Sequence, residues 1–318
     1  MTVSLRALLP KMDLPDIAVT GIALDSRRVE PGQVFIALQG SAHDGRCFIK
    51  SAVAAGACAV LCDAPTSQDG IGVPVIEVPN LADEIGKMAS RFHGEPSKHL
   101  MTVAVTGTNG KTSVTFMAAS ALNYLKRSAG GIGTLGQGFL SSLQDSGLTT
   151  PDAGVIQSSL KSMLDAGAEM VFIEASSHGL VQGRLIGTTI QAAVFTNVTR
   201  DHLDYHGDMA SYRQAKAKLL QWEGLQCALL NLDDPWLAAL AQAAQVPEVL
   251  GFSQMNAHGA LIRAEALQFH EAGVQFELCT PAGSTTVRSA LLGQHNVSNL
   301  LAVAGLLYWY GVELHDIG

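Results

Sequence analysis

Long apolar runs are absent. The longest late one, Leu300 to Val312, falls well short of the roughly 20 residues that span a bilayer as a helix. The segment Met1 to Pro15 carries Arg6, Lys11 and Asp13 among its apolar residues, so it does not read as an export signal. Basic clusters are equally scarce. Lys and Arg total 20 against 28 Asp and Glu, a formal net charge of −8, and no face concentrates the positive charge that a phosphate backbone demands. Nucleic-acid binding and membrane insertion are therefore not expected. Cysteine is limited to Cys47, Cys58, Cys62, Cys227 and Cys279, an odd set without paired metal-ligand spacing. Cys58 and Cys62, spaced C-x₃-C in an apolar stretch, read as buried, and the whole set suits a reducing cytoplasm. There is no internal repeat and no low-complexity tract, which removes solenoid and disordered classes.

What remains is a chain of 318 residues, 47% hydrophobic and 15% charged, long enough for two packed domains. Residues 1 to about 95 contain the strand candidates Val34–Leu38 and Ala59–Leu61 around a helix candidate, Ile49 to Ala55. A further helix candidate, Leu81 to His93, gives way to the polar, proline-bearing stretch Gly94-Glu95-Pro96-Ser97-Lys98, which marks a domain boundary. The expected domains are 1–97, a small α/β unit, and 98–318. In the second, strands (101–106, 170–175, 192–198, 227–232) alternate with helices (111–126, 211–222, 235–244), which implies a mostly parallel sheet with ligands gathered at the strands' carboxyl ends. Residues 260–292 read instead as an antiparallel meander, Leu261–Ala264, Val274–Leu278 and Thr285–Arg288, followed by a helix from Val297 to Tyr310.

Four features carry chemistry. The apolar strand Val103-Ala104-Val105 empties into Gly107-Thr108-Asn109-Gly110-Lys111-Thr112. Glycines there let amide N–H groups point at a polyphosphate, the lysine supplies a charge, and the Thr112 hydroxyl can ligate Mg²⁺. The usual pattern has a glycine five positions before Gly110, where Val105 stands, so the loop is a shortened variant. Glu174, at the end of an apolar strand, can aim a carboxylate into the same cleft and hold Mg²⁺. Asn197 to Gly207 packs His202, His206, Asp201, Asp204 and Arg200 into eleven positions after another strand, a density suited to metal ligation and its orientation. Lys216 and Lys218, in the helix candidate Tyr212 to Trp222, read by pattern alone as an exposed basic face.

With Leu24-Asp25-Ser26-Arg27, Pro31 to Ala37, Asp44-Gly45-Arg46, Thr149-Thr150-Pro151, Glu174 to Arg184, Ala215-Lys216 and Gly293 to Asn299 added, the chain resembles the Mur ligases of peptidoglycan synthesis, closest to those that add the third amino acid. The matching elements run in order from residue 24 to 299. The G-T-N-G-K-T loop alone would also suit folylpolyglutamate synthases, and the N-terminal elements with S-S-H-G-L-V-Q-G-R (176–184) make the distinction. The resemblance implies an N-terminal UDP-binding α/β domain and a central phosphate-loop sheet domain with an antiparallel extension. It places ATP on Gly107, Thr108, Asn109, Gly110, Lys111, Thr112 and Ser113, with Asn296 and Asn299 near the adenine. It shares Mg²⁺ among Thr112, Glu174 and His202. Lys216 becomes a CO₂-carbamylated lysine, an anion that helps position a second Mg²⁺, and Lys111, Glu174, His202 and Lys216 form the catalytic set.

UDP-N-acetylmuramoyl-L-alanyl-D-glutamate would contact Leu24, Ser26, Ser41, Ala42 and His43 at its uridine end, and Thr149, Thr150, Ser176, Gln182 and Arg184 at its peptide end. The implied activity is ATP-dependent amide ligation through an acyl phosphate by a cytoplasmic monomer, with meso-diaminopimelate favoured as the incoming amino acid. The family has a third domain that binds that amino acid. The sequence stops before it, so the expectation is substrate and ATP binding without turnover. Two rival readings are another ligase of the folylpolyglutamate-synthase type and a non-catalytic nucleotide-binding regulator.

Overall fold

The computed structural model describes residues 2–39, 44–66 and 70–318. The proposed uridine contacts Ser41, Ala42 and His43 lie outside these. The chain forms two compact units. The first comprises Met1–Pro96 together with Asp152–Lys161 and Gly183–Thr188, and the second holds the remainder.

In the first unit a short antiparallel pair, β1 (Val3–Ser4) and β2 (Ala18–Val19), accompanies a parallel sheet of β3 (Gly21–Ala23), β4 (Gln33–Ala37), β5 (Ala59–Cys62) and β6 (Val75–Glu77), in that order. Alternation along the strands feeds two cores, because successive side chains leave opposite faces. Val34, Ile36, Ala59 and Leu61 pack with Leu81, Met88 and Phe92 of the helix Leu81–Phe92. Phe35, Ala37, Val60 and Cys62 pack with Ile49 and Ala52 of the helix Ile49–Ala54. Cys62 is buried as expected and Cys58 half-buried; all five cysteines are free thiols.

The second unit is built on β7 (Met101–Thr106), β8 (Ala129–Gly133), β9 (Gly136–Phe139), β10 (Met170–Glu174), β11 (Ala192–Phe195), β12 (Cys227–Asn231), β13 (Glu248–Ser253), β14 (Ile262–His270), β15 (Gly273–Thr280) and β16 (Gly283–Ser289). These form one sheet, ordered β16-β15-β14-β13-β12-β11-β7-β10-β8-β9. From β14 to β8 every pairing is parallel, while β14-β15-β16 is an antiparallel meander, as the sequence pattern predicts. Val103, Val105, Phe172, Val194 and Leu229 form one buried face with residues of the helices Lys111–Tyr124 and Gln294–Trp309. The alternate residues Ala104, Ile173, Ala193, Phe195 and Leu230 are buried as well. Burial on both faces explains why these strands read as continuous apolar runs. The strands β8, β9 and β13 and the helix Ala153–Asp165 are elements that the sequence reading passed over. Among the described residues no helix is long and apolar enough to cross a membrane.

The register decides where the chemistry gathers. The first strand, β7, lies between β10 and β11, with Val105 opposite Glu174 and Thr106 opposite Phe195. The carboxyl ends of these three strands therefore finish side by side. The residues that follow them are the glycine loop, Ala175-Ser176, and Thr196-Asn197.

Candidate active site

The loop after β7 turns through Gly107, whose φ of +151° is a conformation that L side chains rarely adopt. A Cβ at this position would collide with the Thr196 hydroxyl. Four neighbours hold the loop. Asn197 exchanges bonds with the Asn109 backbone, its Oδ1 accepting from the amide at 3.0 Å and its Nδ2 donating to the carbonyl at 3.1 Å. The buried Thr196 hydroxyl donates to the same Asn109 carbonyl at 2.5 Å. The Thr108 hydroxyl lies 3.0 Å from the Tyr212 hydroxyl and accepts from the Thr199 amide at 3.0 Å. The loop is thus fixed mainly by residues about 90 positions downstream, at the end of β11.

Two lysines converge beneath it. Lys111 donates to the carbonyls of Gly107 at 3.0 Å and Thr108 at 2.9 Å, and Lys216 donates to Gly107 at 2.8 Å. Lys216 is 1% exposed, which corrects the reading of its helix as an exposed basic face; only Lys218 fits that reading. The turn after Asp208, which caps the helix Met209–Ala217 through the Ser211 amide, rolls Tyr212, Ala215 and Lys216 inward. Burial, reinforced by the Lys111 charge, lowers the Lys216 pKa to about 7, with Asp201 opposing. Burial also lowers that of Lys111, against the pull of Glu174 and Asp201.

Glu174 is completely buried. Its Oε2 accepts from the Thr112 hydroxyl at 2.9 Å, and its Oε1 accepts from the Thr134 amide at 2.8 Å. Burial raises its pKa, and the Thr134 amide, the Thr112 hydroxyl and Lys111 pull it back. A buried carboxylate beside a hydroxyl is a hard-oxygen donor pair whose negative charge a divalent cation would neutralise. His202, with a left-handed φ of +51°, stacks edge-on against His178 at 4.8 Å between ring centres and stands 3.4 Å from Asp201. Among the described residues no group of three or more His, Cys, Asp or Glu side chains could hold a metal ion. A metal here would depend on Glu174 with hydroxyl and ligand oxygens.

On the other side of the loop a cavity of about 460 Å³ is lined by Asn109, Gly110, Asn197, Asn231, Gln254, His295, Ser298 and Asn299. Asn299 donates to the Asn296 Oδ1 at 3.2 Å. Asn231, at the end of β12, ties the two walls together by donating to the Thr196 carbonyl at 2.8 Å and to Ser298 Oγ at 3.2 Å. The cavity's size and amide-rich lining suit a purine nucleoside. Ser113 is exposed on the helix that follows the loop.

The remaining sequence-predicted residues divide between the units. Thr149, Thr150, Ser176 and Gln182 lie in the second, whereas Leu24, Ser26 and Arg184 lie in the first. Thr150 is buried, its hydroxyl donating to the Glu174 carbonyl at 2.6 Å and lying 2.9 Å from Ser176 Oγ. Ser176 caps its helix by accepting from the Gly179 amide at 3.1 Å. Gln182 donates to the Tyr205 hydroxyl at 3.3 Å. Leu24 is exposed at the end of β3, and Ser26 begins a short 3₁₀ turn capped by Asp25. Thr134, Thr196, Asn231 and Tyr212 were not singled out from the sequence. A polar residue closing an apolar strand was the available signal for Asn231, and for Thr134 there was none.

Comparison with known proteins agrees with this architecture. Residues 105–307 match the family described as the Mur ligase middle domain, and residues 18–93 match the Mur ligase family catalytic domain. UDP-N-acetylmuramoyl-L-alanyl-D-glutamate–2,6-diaminopimelate ligase of Pseudomonas aeruginosa is 44% identical over 323 residues, covering all of this chain and 65% of that protein. The protein of the same name from Xylella fastidiosa is 43% identical, covering 98% of this chain and 64% of its own length. The chain thus spans a little under two thirds of these curated relatives. A solved structure of a ligase of that name superposes with a TM-score of 0.90 at 36% identity, covering all of this chain and 66% of that one. MurF from Acinetobacter baumannii, at 21% identity and a TM-score of 0.71, shares the fold. With more than half of the chain matched by the middle-domain family, and residues 18–93 by a second Mur ligase model, the chain belongs to the Mur ligase family.

Proposed function

We propose that this chain carries the nucleotide- and acceptor-binding parts of an ATP-dependent amide ligase, one that extends UDP-N-acetylmuramoyl-L-alanyl-D-glutamate with a diamino acid, meso-diaminopimelate by likeness to the named relatives. The observation that carries it is the convergence of Lys111, Lys216 and Glu174 around the Gly107 turn, beside the asparagine-lined cavity. In this reading residues 1–97 hold the uridine end and 98–318 the ATP.

The proposed reaction has two steps. An oxygen of the acceptor's terminal carboxylate attacks the γ-phosphorus of ATP, the bond to the β-γ bridging oxygen breaks, and ADP leaves. The amine then attacks the acyl carbon of the resulting acyl phosphate, expels inorganic phosphate and loses a proton. Such transfers depend on positioning and on charge stabilisation. Lys111 would release the loop carbonyls to meet the β- and γ-phosphates, and the loop amides would line the polyphosphate. Thr112 and Glu174 would hold Mg²⁺, which when bound offsets charge on the transferring phosphoryl group, and His202 would approach from the β11 side. Lys216 suits carbamylation because only a neutral amine attacks CO₂, and a pKa of about 7 leaves a large neutral fraction near neutrality. The carbamate would also replace lysine–lysine repulsion under Gly107 with attraction.

The test is calorimetric titration of the chain with UDP-N-acetylmuramoyl-L-alanyl-D-glutamate, with a folate polyglutamate as the competing acceptor. Binding of the muramoyl nucleotide and not the folate is expected. The reverse would move the assignment to a folylpolyglutamate-type ligase.

A further inference from the structure

The turn after β8 brackets the central carboxylate of the site. Thr134 donates its backbone amide to Glu174 Oε1 at 2.8 Å, and its hydroxyl donates to Oε2 at 3.2 Å. One residue therefore reaches both oxygens of a buried side chain that, among the described residues, otherwise accepts from the Thr112 hydroxyl. The preceding residue makes this possible. A Cβ on Gly133 would collide with the Glu174 carboxylate, so only glycine lets the turn close over it. The Thr134 hydroxyl also lies 3.1 Å from Thr149 Oγ1. It has one proton, which Glu174 Oε2 and Thr149 Oγ1 are both placed to accept, and the charged carboxylate is the stronger acceptor.

We infer that Thr134 is a positioning residue for metal binding: its hydroxyl fixes the rotation of the Glu174 carboxylate so that one oxygen stays turned toward Thr112 and the cation. The inference rests on the reading of Glu174 and Thr112 as the Mg²⁺ pair. Thr134 is exposed at the surface of the unit, so exchanging its hydroxyl for a methyl leaves the core intact and retains the amide bond to Oε1.

The experiment titrates a non-hydrolysable ATP analogue into the wild-type chain, Thr134→Val and Thr134→Ser, each with Mg²⁺ and with EDTA, alongside their thermal midpoints. In EDTA all three should bind alike. With Mg²⁺ the valine variant should lose about tenfold of the affinity gained from the metal, the scale of one hydrogen bond to a charged group, and serine should restore it to within about twofold. Thr134→Val with the full Mg²⁺ gain overturns the inference, as does an equal loss in EDTA or a serine variant that fails to restore binding. A wild-type chain that gains nothing from Mg²⁺ defeats the metal reading of Glu174 itself, which the wild-type titration alone identifies.

Discussion

The large sheet of the second unit is divided by strand direction, and its two parts serve different ends. In the parallel part β7, β10, β11 and β12 end along one edge, and the residues leaving those ends are Gly107, Ala175, Thr196 and Leu232, each at or next to a candidate site residue. The antiparallel part, β14 to β16, contributes no candidate site residue. Its inward residues Ile262, Ala264, Phe276 and Leu278 join the same core as Val103 and Leu229. Parallel strands deliver their carboxyl ends to one place, whereas a meander sends alternate ends to opposite edges. Both parts contribute to stability, and ligand chemistry collects in the parallel one.

That contrast can be broken by mutation. The largest expected effect is in the meander. Phe276→Ala, at a side chain 1% exposed, should cost about 3–5 kcal/mol of stability in chemical denaturation, with nucleotide affinity of the folded protein unchanged. A parallel loss of affinity at full folding would mean that the meander reaches the site.

Lys216 sharpens the comparison from the other side, since at the site stability is given up for chemistry. Its pKa is about 7 in the folded chain against an ordinary 10.5. Between those values the unfolded chain holds a proton that the folded chain does not, so stability rises with pH, and below pH 7 the burial cost is present in full. In CO₂-free buffer Lys216→Met should therefore stabilise the protein by about 2–4 kcal/mol at pH 6, and the gain should shrink as pH rises toward 10. A gain that does not vary with pH would mean that Lys216 does not titrate near 7 in the folded chain. Lys218, two residues on and exposed, should show the smallest effect: Lys218→Ala should change stability by no more than about 0.5 kcal/mol and leave the nucleotide titration unaltered.

The same division explains what could be read from the chain. The glycine loop was legible because its chemistry is local: a strand, a turn and a hydroxyl in consecutive positions. The apolar strands were legible because burial on both faces writes a continuous run. Ala129–Gly133 was not legible, since its sequence, AGGIG, carries little strand propensity. It is a strand through its pairing with β10 and β9, and Cβ atoms on Gly130 and Gly131 would meet Met163 and Phe116, so close approach selects glycine there. Lys216 looked solvated because the helix pattern does not reveal that its inward face closes under Gly107, 109 residues away in sequence. Asn197, Asn231 and Thr134 act through partners dozens of residues away, and single-sequence periodicity carries no record of such pairs.

The Gly107–Thr112 turn, with Lys111 at its end, is proposed to hold a polyphosphate. Calorimetric titration of a non-hydrolysable ATP analogue with Mg²⁺ into the wild-type chain and Lys111→Ala tests it most directly. Saturable one-to-one binding by the wild type is expected, with at least about a hundredfold weakening, roughly 2.7 kcal/mol, in the still-folded variant. Equal affinity in the two proteins would contradict it.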